Sequence, residues 1–563
     1  MIQSLTLVIS GQAGQGLQTI ETLLDKAIQQ NYHVYSTKEV MSRVRGGNNT
    51  VEIRVASESV YAYKHTIDML FLLNDHSFYR LHDRINENTV IFGESTFIDS
   101  EALTKSGAKF IELNLNQLAK EAGSVLFGNT ILFGYISGLL SLDIPYCSES
   151  IRQRFSSKTE LIIENNVKAF ISGYSQGEQY ENRPKIIQTD AVKDRKLING
   201  HQAIGIGALA GGVNFVSAYP MSPGTGVLEY LAGKGNEFGI VVEQAEDEIA
   251  AIVMTIGAWY TGARALTTTS GGGFSLMVEA VSLSGITETP AVIHIGQRPG
   301  PGTGLPTRTE QADLNLAVYS GHGEFPRIIL APGSLEDGIL LGQQAFHLAD
   351  KYQVPVFILS DQYYLDSKTS VAPLKLSDEF IQPFFVKSDK DYLRYKHTPN
   401  GISPRSIPGY GEGLVKCDSD EHDERGSITE DFNVRVAMND KRLGKEALSL
   451  EDYVAPELVG PKDYKKLVIG WGSTYGVLKE AVESSDDKSI AFLHLKQVYP
   501  LSESLIELID QADTTVIFEN NATGQLSNLI KLHLDRKIDE QVLKYNGMPF
   551  TIEEVDAKLK EVF

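Results

Sequence analysis

The chain has 563 residues, enough for three or four domains of ordinary size, and 42% of these residues are hydrophobic. Its formal charge of −21 argues against a nucleic-acid-binding surface, because phosphate binding requires clustered lysine and arginine. The chain has two cysteines, Cys147 and Cys417, far apart and outside any CxxC pattern, which argues against a disulfide framework and against an iron–sulfur cluster held by this chain alone.

The first block, residues 1–178, alternates short apolar runs with helical patterns. The opening MIQSLTLVIS lacks a basic region and a cleavage site, so it is typical of a first strand and not of a signal peptide. No apolar run reaches the ~18 residues needed to cross a bilayer, and we expect a cytoplasmic protein. The alternation predicts a parallel α/β sheet. The predicted strands are residues 5–10, 33–35, 50–55, 69–73, 89–92 and 109–113, with a helix after Gly16.

Three further segments follow a polar stretch, residues 179–196, that is predicted as a linker. Residues 197–368 are rich in Ala, Gly, Thr and Val and predict a second doubly wound sheet. Residues 369–460 lose the periodicity; a disordered linker is possible there, although scattered tyrosines and isoleucines favour an ordered arm. Residues 461–563 predict a third α/β domain. The predicted strands are residues 214–218, 239–242, 263–268, 291–295, 327–330, 356–359, 466–470, 491–494 and 514–519.

The run GQAGQG at residues 11–16 lies between a predicted strand and a helix, where backbone amides can cradle a phosphate. Its spacing departs from GxGxxG, so a tight structural turn is the stronger interpretation, and Gly14 and Gly16 are candidates for a ligand contact. The run RVRGGNN at residues 43–49 could bind an anionic nucleotide tail through Arg45, or form a solvent or interface loop.

A turn with two prolines, YPMSPGTG at residues 219–226, directly follows the strand at residues 214–218. In an open α/β sheet this position lies at the carboxyl end of the strands, where ligands bind. Tyr219, Pro220, Ser222 and Thr225 are therefore candidate ligand contacts, and the alternative is a rigid turn.

An acidic run, EQAEDE at residues 243–248, opens a helix that continues with almost wholly apolar residues. Acidic residues in a first helical turn are ordinary partners of the helix dipole. A carboxylate at the mouth of a buried helix could nevertheless hold a proton on a cofactor nitrogen. This role fits Glu248 best, with Glu246 as the fallback.

Two glycine-rich segments follow the next two predicted strands. TTTSGGG at residues 267–273 ends one strand and begins a helix, and its glycines let a ligand or a partner backbone come close. QRPGPGTGLPTR at residues 297–308 excludes helix and strand, and its only charges, Arg298 and Arg308, suit a carboxylate.

The order of these motifs resembles the alpha subunit of 2-oxoacid:ferredoxin oxidoreductases. The resemblance rests on YPMSP, the Glu248 helix, TSGGG and RPGPGTGLPTRTEQAD at residues 298–313. GQAGQG and RGGN resemble the family's gamma domain, and QVYPL (497–501) with ENNATGQ (519–525) resembles its transketolase-C-like domain. The resemblance implies three α/β domains: gamma, 1–178; pyrimidine-binding, 197–368; and transketolase C-terminal-like, 461–563.

The family decarboxylates a 2-oxoacid oxidatively with thiamine diphosphate in the presence of coenzyme A. The products are acyl-CoA, carbon dioxide and reduced ferredoxin. The resemblance implies that Glu248 contacts the aminopyrimidine ring nitrogen and that the hydroxyl of Ser222, where the family motif has threonine, binds substrate carboxylate. It also implies substrate contacts from Arg298, from Arg308 if the substrate is 2-oxoglutarate, and from Thr303. Tyr219, Pro220, Thr225, Ser270, Gly271 and Gly272 are assigned to the cofactor, and Gly14, Gly16 and Arg45 to coenzyme A or phosphate.

Parts of the expected active site are missing from the sequence. No Gly-Asp-Gly is present to hold the magnesium diphosphate, and cysteines for a cluster are lacking. The resemblance therefore implies a beta subunit that carries the diphosphate end, Mg²⁺ and a [4Fe–4S] cluster, most simply in an (alpha-beta)2 heterotetramer served by ferredoxin. We expect no metal held by this chain alone.

Three functions stay open. The leading prediction is the oxidoreductase subunit acting on 2-oxoglutarate, with pyruvate or a branched-chain 2-oxoacid as the alternative substrate. The other classes are a thiamine-diphosphate decarboxylase or synthase of the acetolactate type, which the absent Gly-Asp-Gly weakens, and a non-catalytic scaffold that binds coenzyme A or another nucleotide.

Overall fold

The computed structural model describes residues 3–42 and 47–563. These residues form two compact units. The first runs to Ile198 and adds Asp366–Pro373 and Thr551–Glu553; the second comprises Asn199–Leu365, Leu374–Phe550 and Glu554–Phe563. Within the described ranges, no helix combines the length and the apolar character needed to span a membrane.

Strands and α-helices alternate through both units. The strands are β1 (Ser4–Gln12), β2 (His33–Glu39), β3 (Asn48–Ala56), β4 (Met69–Leu72), β5 (Val90–Gly93), β6 (Lys109–Glu112), β7 (Lys196–Asn199), β8 (Phe215–Ala218), β9 (Val241–Gln244), β10 (Ala265–Ser270), β11 (Ala291–Gln297), β12 (Ile328–Leu330), β13 (Pro355–Asp361), β14 (Lys368–Val371), β15 (Glu457–Val459), β16 (Lys466–Trp471), β17 (Ile490–Leu495), β18 (Gln497–Tyr499), β19 (Thr514–Glu519) and β20 (Glu540–Leu543). The helices are α1 (Leu17–Ile28), α2 (Asp75–Leu81), α3 (Ser100–Ser106), α4 (Leu115–Glu121), α5 (Gly128–Leu139), α6 (Ile144–Arg154), α7 (Glu160–Glu178), α8 (Gly200–Ala210), α9 (Thr225–Phe238), α10 (Glu248–Tyr260), α11 (Gly271–Thr287), α12 (Leu314–Val318), α13 (Leu335–Tyr352), α14 (Gln362–Asp366), α15 (Phe432–Ser449), α16 (Tyr475–Ser484), α17 (Ser504–Asp510), α18 (Gln525–Leu534) and α19 (Ile552–Val562).

The first unit contains one sheet, in the order β6-β5-β4-β1-β3-β2-β14-β7. The prediction of a parallel sheet is right for the neighbouring strands β1, β4, β5 and β6 and wrong at β3, which is antiparallel to both of its neighbours, β1 and β2. The reason is the short connection: β2 ends at Glu39 and β3 begins at Asn48, whereas a parallel crossover needs roughly a dozen residues or more.

Helices α5 and α7 of the first unit approach each other through glycines. A Cβ added at Gly134, Gly138, Gly173 or Gly177 would lie 2.0–2.2 Å from a backbone oxygen of the facing helix. Any side chain at these positions would force the helices apart. Residues 179–196, predicted as a linker, belong to the same unit, where the Thr189 amide donates to the Asn31 carbonyl at 2.8 Å.

The second unit contains two sheets. The larger has the order β18-β12-β13-β11-β10-β8-β9, with β8 to β13 parallel and only β18 antiparallel. The smaller has the order β15-β17-β16-β19-β20 and is parallel except for β15. Buried side chains of both sheets contribute to one hydrophobic core, and β18 of the C-terminal segment pairs with β12. The predicted second doubly wound sheet and third α/β pattern are both present.

The predicted arm, residues 369–460, contains an 18-residue helix, α15, that was not predicted. The buried stripe of this helix includes three cations, Lys441, Arg442 and Lys445, at helical spacing. Both lysines form buried ion pairs with Glu288 at the end of α11. A search for apolar periodicity cannot find a helix whose buried face is charged.

Candidate active site

Four turns of the second unit meet at one edge of the larger sheet. They follow β8, β10, β11 and β13, which are neighbouring parallel strands whose carboxyl ends share that edge. This is the edge where open α/β sheets bind ligands. The tertiary structure therefore brings together the three motifs predicted from residues 219–226, 267–273 and 297–308.

The turn after β8 contains the cis peptide Ser222–Pro223. It fits against β11, since a Cβ at Gly296 would lie 2.8 Å from Pro223 Cγ. Arg298 reaches the same turn, and its Nη1 donates to the Ser222 carbonyl at 2.8 Å. Ser222 is exposed at this edge, so its hydroxyl is available to a ligand.

The other predicted residues of this turn lie at its two ends. Tyr219 is exposed and Pro220 half-buried, and both immediately follow β8. Thr225 is half-buried and begins α9.

Glu248 is the first residue of α10 and points into the protein, with 3% of the residue exposed. The cap of this helix is provided by Asp247, whose Oδ1 accepts from the Ala250 amide at 2.7 Å, so Glu248 is not needed there. Among the described residues, none supplies a hydrogen bond to Glu248 Oε1. Glu246, the fallback, is exposed in the preceding turn.

The first turn of α11 is built from Gly271, Gly272 and Gly273. A Cβ at Gly273 would lie 2.2 Å from Thr269 Oγ1 and 2.6 Å from Glu248 Oε1, so only glycine leaves room for both groups. Ser270 precedes the helix without capping it. Within the part of the chain that the structure describes, the buried hydroxyls of Thr269 and Ser270 both lack a hydrogen-bond partner. Buried polar oxygens are rarely left unpaired, which marks this turn as a ligand site.

The loop after β11 returns to the same turn. The Gly302 carbonyl would lie 3.6 Å from a Cβ at Gly272. Gly304 must be glycine, because its φ is +53° and a Cβ would lie 1.8 Å from the Pro299 carbonyl oxygen. Thr303 is exposed between them. Arg308 contacts another part of the unit: its Nη1 lies 3.6 Å from Met548 Sδ.

The far end of this loop is fixed by buried hydrogen bonds. Thr309 Oγ1 donates to Asp361 Oδ1 at 2.9 Å. Gln311 exchanges backbone and side-chain bonds with Asn520 and donates from Nε2 to the Trp471 carbonyl at 2.8 Å. The smaller sheet thus holds the loop in position, and this role of ENNATGQ was not predicted.

Asp313 is a candidate site residue that the sequence reasoning missed. Its carboxylate fills the space above Gly271, where a Cβ would lie 2.2 Å from Oδ2. Oδ2 is buried and, among the described residues, has no hydrogen-bond partner. Burial raises the pKa of Asp313 to about 7; the Glu310 charge adds to this effect and the Arg298 charge opposes it. Its place in the string TEQAD at residues 309–313 carries no signal of this environment without the fold.

His294 is a second residue that the sequence reasoning missed, and it is wholly buried in β11. Its Nδ1 lies 2.7 Å from Thr268 Oγ1 and its Nε2 lies 2.8 Å from Ser360 Oγ. Thr268 in turn donates to the Gly224 carbonyl at 3.2 Å. Burial lowers the pKa of His294 to about 3, so it is neutral and links three strands beneath the site. A histidine within an apolar strand was the available signal.

The GQAGQG turn of the first unit borders a cavity of about 290 Å³. Gly14 and Gly16 line it, with φ of +91° and +75°. Its walls include Leu72, Phe97 and Leu126, and Glu94 is the one charged residue among those described around it. Arg45, also predicted here, lies outside the described residues.

The arrangement in the second unit combines a buried carboxyl, two buried hydroxyls, an arginine and the amino end of a helix. Such a set can share a proton with a heteroaromatic nitrogen and bind a carboxylate beside it. Among the described residues, no group of three or more His, Cys, Asp or Glu is placed to hold a metal ion.

Comparison with known proteins agrees with this chemistry. Residues 206–441 match the family model described as pyruvate flavodoxin/ferredoxin oxidoreductase, thiamine diphosphate-binding, and residues 6–176 match pyruvate ferredoxin/flavodoxin oxidoreductase. The 2-oxoacid:ferredoxin oxidoreductase subunit alpha of Sulfolobus sp. is 31% identical, over 99% of this chain and 97% of that protein.

Two further proteins are similar. The 2-oxoglutarate oxidoreductase subunit KorA of Mycobacterium tuberculosis is 30% identical over 76% of this chain and 67% of its own length. A solved structure of 2-oxoglutarate:ferredoxin oxidoreductase from Magnetococcus marinus, with 2-oxoglutarate, coenzyme A and succinyl-CoA bound, superposes with a TM-score of 0.93 at 29% identity and covers 100% of both chains.

Proposed function

Because this chain belongs to the family of 2-oxoacid:ferredoxin oxidoreductase alpha subunits, we propose that its second unit binds the aminopyrimidine end of thiamine diphosphate and the carboxylate of 2-oxoglutarate. One observation carries this proposal: Glu248 Oε1 is buried without a partner, among the described residues, beside the glycine turn of α11. A buried carboxyl that is not used for folding requires another explanation, and a ligand nitrogen provides it.

The residues present fit the ring end of this cofactor. At the glycine turn of α11, the hydroxyls of Thr269 and Ser270 can each donate or accept a hydrogen bond beside the carboxyl of Glu248. The cofactor, when bound, supplies the electron sink that permits decarboxylation of a 2-oxoacid. Glu248 then holds the proton that Oε1 shares with the ring nitrogen, and no described side chain competes for that oxygen.

Substrate recognition is assigned to the turn after β8 and the loop after β11. Arg298, held at 2.8 Å on the Ser222 carbonyl, presents its remaining donors to a substrate carboxylate, and the exposed Ser222 hydroxyl lies in the same turn. Arg308 and Thr303 are proposed to receive a second carboxylate. The KorA relative and the Magnetococcus marinus structure, which holds 2-oxoglutarate, support this substrate over pyruvate or a branched-chain acid.

The partner is proposed to be a beta subunit that docks on α10 and α11. Apolar side chains on the outer faces of these helices remain 43–52% exposed directly beside the buried Glu248: they are Ile249, Val253, Met254 and Leu276. An apolar surface of this kind marks an interaction site. The beta subunit would bring the diphosphate contacts, Mg²⁺ and the [4Fe–4S] cluster that passes electrons to ferredoxin, in an (alpha-beta)2 heterotetramer.

Coenzyme A is proposed to use the cavity at Gly14 and Gly16. Its apolar walls suit an adenine ring or a pantetheine arm, whereas Glu94 disfavours a phosphate at that end.

The charge of −21 and the two cysteines support a cytoplasmic location for the enzyme.

Co-expression with the beta subunit tests the function. We expect the pair to reduce viologen with 2-oxoglutarate and coenzyme A, at least ~10-fold faster than with pyruvate at equal concentration, as two-point recognition should give. A higher rate with pyruvate or a branched-chain acid would reassign the substrate. Tight binding of thiamine diphosphate and metal by the isolated chain, measured by calorimetry, would contradict the divided site.

A further inference from the structure

The carboxyl of Asp313 has no function in folding that the structure reveals. Its Oδ2 is buried with no partner among the described residues, although the neighbouring loop is otherwise densely hydrogen-bonded. Its amide is satisfied by Gln297 Oε1 at 3.0 Å, so the backbone position is fixed without the side chain.

Asp313 directs its buried Oδ2 towards the proposed ligand site. Its carboxylate lies over Gly271, the first residue of α11, whereas Glu248 and Thr269 occupy the space at Gly273, two residues further. Two carboxyl groups therefore enter the same helical turn from different elements. Thr269 and Ser270 directly precede this turn and are fully buried. Their hydroxyls have no hydrogen-bond partner among the described residues, which is a second indication of a ligand.

We propose that Asp313 takes up a proton when the carboxylate of the 2-oxoacid binds at Arg298, so that it presents a hydroxyl donor to the site and not a second negative charge. This inference rests on the proposed function. The proton comes from solvent and returns there on release, so no other reactant is needed.

The surrounding charges favour such an exchange. The charged groups that act on Asp313 are Arg298 and Glu310, both on its own loop; the first turn of α11 contributes only glycines. Arg298 stabilises the carboxylate form while the site holds no anion. A bound substrate carboxylate neutralises that arginine and leaves the charge of Glu310 unopposed, which drives Asp313 to the protonated form.

The position of the transition follows from the pKa of about 7, which burial produces. Below this pH the free enzyme already holds the proton, and substrate binds without uptake. Near it, binding should take up about half a proton, and above it the affinity should fall ~10-fold per pH unit until other groups titrate.

Glutarate, which matches 2-oxoglutarate but has no keto group to react, is the probe. Its binding to the complex with the beta subunit is measured by calorimetry in buffers of different ionisation enthalpy, from pH 6 to 8.5. We expect uptake of about half a proton near pH 7 in the wild-type complex and none in Asp313→Asn, whose affinity should be nearly independent of pH. Glu310→Gln removes the carboxylate whose charge raises the pKa of Asp313, so it should retain the uptake but move it to lower pH.

Each outcome decides the proposal. Uptake that persists in Asp313→Asn, or glutarate that fails to bind the wild type, overturns it. The wild-type complex could bind glutarate with Asp313-dependent proton uptake and yet turn over no 2-oxoacid. That result would contradict the proposed function and support the proton exchange at Asp313. Thermal melting of Asp313→Asn at pH 8 should equal or exceed that of the wild type, since the variant removes a buried charge without removing a described bond.

Discussion

Two glycine-rich turns, one in each unit, look alike in sequence and differ in structure. In the first unit, side chains hydrogen-bond to the backbone of the GQAGQG turn. Gln15 Oε1 accepts from the Gln12 amide at 2.6 Å, and Asn129 Nδ2 of α5 donates to the Gln15 carbonyl at 2.7 Å. In the second unit, the turn of α11 is surrounded by buried oxygens of Glu248, Thr269, Ser270 and Asp313 that have no hydrogen-bond partner among the described residues.

The difference teaches that glycine alone reports backbone shape, whereas unpaired buried polar groups report a ligand. The turn of the first unit borders a cavity with apolar and polar walls and one charged residue, Glu94, among those described, so it fits a ligand held mainly by shape. The turn of the second unit fits a ligand held by proton exchange and hydrogen bonds. Substitutions in the two turns should therefore fail in different ways.

The largest effect is expected from Glu248→Gln. The amide keeps the shape of the side chain but cannot hold the shared proton, so turnover should fall by about 10²–10⁴ while the melting temperature stays unchanged. Steady-state viologen reduction by the co-expressed complex measures it. Glu246→Gln, two residues away and exposed, is the control and should remain near wild type. The reverse pattern would transfer the role to Glu246.

Gly273→Ala should come next. The new Cβ would lie 2.6 Å from Glu248 Oε1 and 2.2 Å from Thr269 Oγ1, so it would displace both. A displacement of this size should lower turnover by about 100-fold and weaken binding of thiamine diphosphate. Titration with the cofactor, followed by calorimetry on the complex, gives the second readout. Unaltered cofactor affinity would show that this turn does not contact the ring.

Substitutions of the two loop arginines should separate one-point from two-point recognition. Arg298→Ala should raise KM for 2-oxoglutarate and for pyruvate alike. Each substrate loses a charged hydrogen bond that contributes ~1.5–3 kcal/mol to the binding free energy. Arg308→Ala should raise KM for 2-oxoglutarate far more than for pyruvate. Equal losses for both acids in Arg308→Ala would leave it only a structural contact of Met548.

The smallest effect is expected in the first unit. A Cβ at Gly14 meets nothing within 4 Å, but the φ of +91° is unfavourable for alanine. Gly14→Ala should therefore lower the free energy of unfolding by about 1 kcal/mol, through backbone strain alone. Chemical denaturation measures this. KM for coenzyme A reports separately on the cavity, and a rise without loss of stability would support a ligand contact at Gly14.

Much of this architecture could be predicted because its signals are local. Short apolar runs and the glycines and prolines between them set strands and turns, and most predicted strands lie within a few residues of the observed ones. The order of motifs that resembles the alpha subunits can also be recognised along the chain without knowledge of tertiary contacts. Helix α15 was not predicted because its buried face is charged. The antiparallel pairing of β2 and β3 was not predicted because the direction of pairing depends on the connection between the strands.

The sequence by itself determined the α/β class, the order of the motifs and the family resemblance, since these depend on residue type and spacing along the chain. Only the tertiary structure decided that Glu248 and not Glu246 is buried, that Asp313 lies at the same helical turn, and that Gln15 and Asn129 hydrogen-bond to the backbone of the GQAGQG turn. The physical reason is that burial and hydrogen-bond satisfaction depend on which distant segments meet, and spacing along one segment carries no information about its neighbours.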